Sequence, residues 1–133
     1  MARILVGYDG SAGADVAVGL VAGLPWPVGS VARVVTAVPD VHQIRSAWGR
    51  MIAGDPGALE ADLEAAAAPG LVRPRERLAA ADLAVETAVL RGRPPQAIVA
   101  DAAAWPADLV VVGSRGLGPA SSALVGSVSQ EIV

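Results

Sequence analysis

The chain has no cysteine, no phenylalanine and no lysine, and only one histidine in 133 residues. Without cysteine there is no disulfide, no thiol nucleophile and no cysteine-ligated metal, and one histidine is too few for a histidine-based zinc site. The missing lysine excludes the P-loop, whose last glycine must be followed by Lys and then Ser or Thr. No apolar run reaches bilayer length, and Met1-Ala2-Arg3 passes directly into a strand-like run with no signal-peptide core or cleavage site. A soluble cytoplasmic protein without membrane contact is therefore expected. The net charge is −3 and every basic residue is Arg, so the positive excess that drives nucleic-acid binding is missing and DNA and RNA are not expected partners.

What is present is aliphatic. Hydrophobic residues make up 53% of the chain, mostly Ala, Val and Leu, and the length suits one domain, 1–133, that buries roughly two-thirds of its unfolded surface. Four segments read as strands: Arg3 to Gly7, Val31 to Val38, Leu83 to Leu90 and Leu109 to Gly113. Their near-continuous apolar character indicates burial on both faces, hence a parallel sheet. Helical patterns lie between them. The first places Val16, Ala17, Leu20, Val21 and Leu24 on one stripe, closed by Pro25 and Pro27. Asp55-Pro56 opens an Ala-rich helix to about Ala68 that Pro69-Gly70 breaks; a further helix is expected over Pro74–Ala81, and Pro94-Pro95 starts another, Gln96 to about Trp105. This alternation predicts a doubly wound α/β fold of Rossmann-like type, with right-handed crossovers and helices on both faces. A last helix is expected to begin near Ser127 and to be truncated at Val133, with no fifth strand beside the fourth, so that a second domain could follow.

The segment Gly113–Ser127, GSRGLGPASSALVGS, carries the sharpest functional signal. It follows the apolar strand Leu109–Val112 and ends at a helix start, and glycines at 113, 116 and 126 let main-chain N–H groups approach a ligand. Amides converging beside a helix N-terminus favour an anion, phosphate above all. Ser127 and Gln130 also form a capping box that needs no ligand, but capping leaves Gly113 and Gly116 unexplained. Ligands of doubly wound sheets sit beyond the strand C-termini where the winding reverses, so a first strand between the second and fourth would bring Asp9 and Gly113 to one crevice. Asp9 and Ser11 are alternative caps for the first helix. Gly116-Leu117-Gly118-Pro119-Ala120-Ser121 imitates a dinucleotide fingerprint, but Ser replaces the third glycine and a proline stands where the helix should enter, which argues against nicotinamide or flavin.

Several segments in order resemble the universal stress protein family, in its ATP-binding subgroup. They are Ile4-Leu5-Val6-Gly7-Tyr8-Asp9-Gly10-Ser11, Ala37-Val38-Pro39, Val89-Leu90-Arg91-Gly92, and Ala107 to Gly116 followed by Gly126-Ser127-Val128. The resemblance implies strand order 3-2-1-4-5, with the last strand missing from this chain, and ATP in the crevice. It places Asp9 on the adenosine part, Val38 and Val112 beside adenine and ribose, and main chain at Gly113, Gly116, Gly126, Ser127 and Val128 on the phosphates. Gly7 and Tyr8 complete the candidate site at the first strand end, Tyr8 being bulkier than expected there. Arg115 either neutralises phosphate charge or is simply solvated. Mg²⁺ would be held by the phosphates and water, since no carboxylate cluster marks a protein metal site.

The segment Val41–Ile52 spaces Val41, Ile44, Trp48 and Ile52 at helical intervals and reads as a flap on its own domain or a docking face. His42 reads as a surface residue, and Trp26 and Trp105, each before a proline, as packing at helix ends. The expectation is a non-enzymatic, ATP-binding regulatory or stress-response module, at most a slow ATPase, that assembles as a homodimer or docks a partner protein. A nucleotide-independent scaffold of the same fold and a sensor of another adenine nucleotide, such as cyclic AMP, are the alternatives.

Overall fold

The computed structural model describes residues 1–40, 56–113 and 124–125. Four short apolar runs form the sheet: β1 (Arg3–Gly7), β2 (Val31–Val38), β3 (Ala84–Arg91) and β4 (Leu109–Val112), all parallel, in spatial order β3-β2-β1-β4. Ile4, Leu5 and Val6 of the central β1 are fully buried, as an apolar strand covered on both faces must be. The edge strand β3 instead exposes Glu86 and Thr87.

Helices α1 (Ala12–Gly23), α2 (Pro56–Ala67), α3 (Val72–Ala79) and α4 (Pro94–Ala104) connect the strands. Ala14, Ala17, Val18 and Val21 of α1 and Leu78 of α3 pack on Ile4, Val6, Val34 and Val111 on one face of the sheet. On the other face Ile98 and Ala102 of α4 cover Leu5, Val35 and Val110. Arg33 on β2 ties this second layer together: its guanidinium donates to both carboxylate oxygens of Asp101 on α4, at 2.8 and 2.9 Å, and to Glu86 on β3 at 2.8 Å. Arg91 at the end of β3 pairs with Glu60 and Glu64 of α2.

The doubly wound architecture and strand order agree with the sequence reading, and β1 and β2 have the expected bounds. The buried face of α1 differs. Val16, Leu20 and Leu24 of the expected stripe are 57%, 41% and 39% exposed, while Ala14 and Val18 are buried beside Ala17 and Val21. Apolar residues surround this helix almost completely, so periodicity could not choose the face, and contact with β1 and β4 chose it. Pro69-Gly70 falls in a 3₁₀ turn, Ala68–Leu71, that separates α2 from α3. Pro74 lies in the first turn of α3 and Pro94 begins α4, positions where the missing N–H costs no helical hydrogen bond, so α3 starts two residues before its expected start while α4 opens at the expected Pro94-Pro95.

Beside β4 the sequence predicts no strand, yet Leu124–Val125 forms a two-residue β5 antiparallel to Val110 and Val111. A pairing that short carries no periodic signature; it satisfies part of the open hydrogen-bonding edge of β4. The expected flap over Val41–Ile52 and the expected last helix near Ser127 lie outside the described residues. Trp26 and Trp105 do sit at helix ends. Trp26 Nε1 donates to the Val21 carbonyl at 2.7 Å, and Trp105 caps α4 while the Arg3 guanidinium stacks 4.4 Å above its ring. Among the described residues no helix is long and apolar enough to cross a membrane.

Candidate functional site

The end of β1 is the focus. Tyr8 N–H donates to the Val35 carbonyl at 2.8 Å, extending the ladder one step past the strand, and Gly10 at φ +80° then turns the chain toward α1. Asp9 Oδ1 accepts from Ser11 N–H at 2.9 Å, and Ser11 Oγ accepts from Ala14 N–H at 3.1 Å. Ser11 is therefore the helix cap, and the exposed Asp9 braces the turn that presents it.

Tyr8 is buried, and its hydroxyl donates to Asp15 Oδ1 on α1 at 2.7 Å. That hydrogen bond, followed by desolvation and the nearby negative charge of Asp15, pushes the phenol above its ordinary value of 10.0. The bulk that looked awkward beside a ligand is anchored toward the helix.

Gly113, just past β4, presses on the start of α1. A Cβ there would lie 2.4 Å from Ala14 N and 2.5 Å from Gly13 C, so only glycine fits. The side chains of Ile98 and Val112 close in the same way over Gly7, where a Cβ would meet them at 2.9 and 3.0 Å.

The connection from β1 runs through α1 to β2 on one side, whereas α4 leads from β3 to β4 on the other, so the winding reverses between β1 and β4. There Gly7, Tyr8, Asp9, Val112 and Gly113 line one crevice of about 110 Å³. The structure thus gathers all but one of the predicted site residues that it describes. The exception is Val38, which is not among the crevice's lining residues; it lies farther along β2, where its carbonyl accepts from Gly92 N–H at 2.9 Å. Val35, Thr36 and Ala37 supply the β2 wall instead. Arg115, Gly116, Gly126, Ser127 and Val128 lie outside the described residues.

Sequence reasoning missed Val35, Thr36, Ala37, Pro94 and Ile98 as lining residues. The only signal for the last two was the Pro94-Pro95 helix start, which fixes where α4 begins but not that Ile98 closes over Gly7 of β1. Chemically, the crevice offers a carboxylate able to accept from hydroxyl groups, aliphatic walls suited to a flat ring, and main chain approachable at a side-chain-free position. Among the described residues no group of three or more His, Cys, Asp or Glu is placed to hold a metal ion.

Known proteins share this fold. A universal stress protein from Thermus aquaticus, named for its position in a QAH/OAS sulfhydrylase 3′ region, is 49% identical over 45 residues, 34% of this chain; the match spans 33% of that relative's length. The solved hypothetical protein MJ0577 superposes with TM-score 0.71 at 21% identity, covering 97% of this chain and 85% of its own. A universal stress protein in complex with cAMP gives TM-score 0.66 at 25% identity, covering 96% and 86%. A universal stress protein family protein from Arabidopsis thaliana with AMP bound gives 0.59 at 17%, covering 92% and 82%. The sequence model of the universal stress protein family matches residues 1–133, and the chain belongs to that family.

Proposed function

We propose that the crevice over the C-terminal ends of β1 and β4 binds an adenine nucleotide, ATP in the first instance, and that the protein is a nucleotide-dependent regulatory module of the stress response. One observation carries the reading: Gly7, Tyr8 and Asp9, and Val112 and Gly113 from a stretch about a hundred residues away in sequence, line a single cavity where the winding of the sheet reverses. Asp9 accepts from the ribose hydroxyls, Val112 packs on the ring system, and main chain from Gly113 onward, with Gly116, Gly126, Ser127 and Val128, receives the phosphates. Mg²⁺ would reach the site on the phosphates. Turnover is slow or absent, because in-line phosphoryl transfer needs a positioned base and a strong cation on the γ-phosphate, and Asp9 and Arg115 alone do not supply both. The module works in the cytoplasm as a homodimer or with a partner protein.

The complexes that the two related structures contain, one with cAMP and one with AMP, favour a second reading in which the sensed ligand is an adenine monophosphate. Calorimetric titration of ATP, AMP and cAMP separates the two. Asp9→Ala is expected to weaken binding of the preferred nucleotide about tenfold, the value of hydrogen bonds to a charged group. Unchanged affinity in a cooperatively folded Asp9→Ala protein would place the nucleotide elsewhere.

A further inference from the structure

Back to back with the crevice, on the face of the sheet that carries α1 and α3, lies a larger cavity of about 380 Å³. The two share Tyr8, Asp9 and Thr36, which form the partition between them. The far wall is the 3₁₀ turn between α2 and α3, through Pro69, Gly70 and Leu71, and Arg73 stands beside it. At 380 Å³ the larger cavity is within the range of small-molecule sites. The partition is firm, because the Tyr8 hydroxyl is held by Asp15 at 2.7 Å. A preformed site of this kind loses little in ordering when it binds.

The lining specifies a ligand class. Tyr8, Leu71 and Pro69 contribute apolar groups to the lining, Thr36 and Asp9 a hydroxyl and a carboxylate on the side shared with the crevice, and Arg73 a guanidinium just past the 3₁₀ turn. An apolar or aromatic body with a hydroxyl at one end and an anionic group at the other matches all three, with the anion on the guanidinium and the hydroxyl donating to the carboxylate. We infer that this cavity is a second ligand site, distinct from the nucleotide crevice, for a small hydroxylated organic acid, and that its occupant is coupled to the nucleotide through the shared Tyr8, Asp9 and Thr36. The site stands without the nucleotide reading; only the coupling rests on it.

The test uses 4-hydroxybenzoate as the probe, titrated by saturation-transfer NMR and calorimetry without nucleotide, with benzoate and 4-hydroxybenzamide as probes lacking the hydroxyl or the charge. Saturable binding is expected, at least fivefold weaker for either control. Arg73→Gln, at an exposed position of α3, should weaken 4-hydroxybenzoate at least tenfold while ATP affinity changes less than twofold. Repetition with saturating ATP should shift the 4-hydroxybenzoate affinity without abolishing its signal, and coupling must be reciprocal. No saturable binding of the probe, binding indifferent to Arg73→Gln, or strict one-for-one displacement by ATP would each overturn the site. If ATP itself fails to bind, the nucleotide reading falls, and the second site is judged on the first titration and on Arg73→Gln alone.

Discussion

Tyr8 and Gly113 show how single residues hold the site from behind. Tyr8 turns its hydroxyl away from the crevice onto Asp15, and its phenol is held above 10.0. Since the folded state favours the protonated phenol, this contribution is complete below pH 10 and is lost as pH rises above 10 toward the folded value. Urea midpoints measured at pH 9 and pH 11 should therefore fall more steeply in the wild type than in Tyr8→Phe, which should also be about 1 kcal/mol less stable at neutral pH. Parallel pH dependence of the two proteins would contradict the assignment. Gly113→Ala forces a methyl to within 2.4 Å of the main chain of α1, which cannot swing aside as a side chain would. Thermal melting should register a loss of about 3 kcal/mol, the upper end of overpacking costs. Gly113 thus has a structural requirement that holds whatever the crevice binds.

At the scale of elements, α1 is the part that links site and core. Ser11 caps it, Asp15 holds Tyr8, Gly13 and Ala14 receive Gly113, and Val18 and Val21 are buried against the sheet. Ser11→Ala should cost about 1 kcal/mol, read as a lower denaturation midpoint with unchanged slope. A changed slope would mean that the loss extends beyond the cap.

The strands were legible because a continuous run such as Ile4-Leu5-Val6 has only one use in a chain of this composition, burial on both faces. The orientation of α1 was not legible: Val16 and Leu20 are as apolar as Val18 and Val21, so hydrophobicity alone does not distinguish the outer face from the inner. The start of α4 was legible. Pro94-Pro95 marks a helix beginning, but the sequence gives no hint that Ile98 closes over Gly7.

For the molecule as a whole, the proposed ligand and the fold are linked by mass action. ATP at a hundredfold excess over its dissociation constant should stabilise the native state by about 2.7 kcal/mol, raising the melting temperature by roughly 10 °C in a domain of this size. The rise should be larger with Mg²⁺ if the ion enters on the phosphates. No shift with any adenine nucleotide would leave the family's fold without the proposed ligand in this member.

The succession of strands and helices along the chain and the parallel sheet followed from the sequence alone, because period and breaker residues are local and right-handed crossover leaves few alternatives; the place of the first strand between the second and fourth, and with it the crevice, was what the family resemblance implied. The same chain could not say which face of α1 is inside, that Val35, Thr36 and Ala37 rather than Val38 wall the crevice, or that two residues would pair along β4. Those outcomes depend on distances between segments far apart in sequence. Only the packed structure, in which Gly113 meets Ala14 and Tyr8 divides one cavity from another, could decide them.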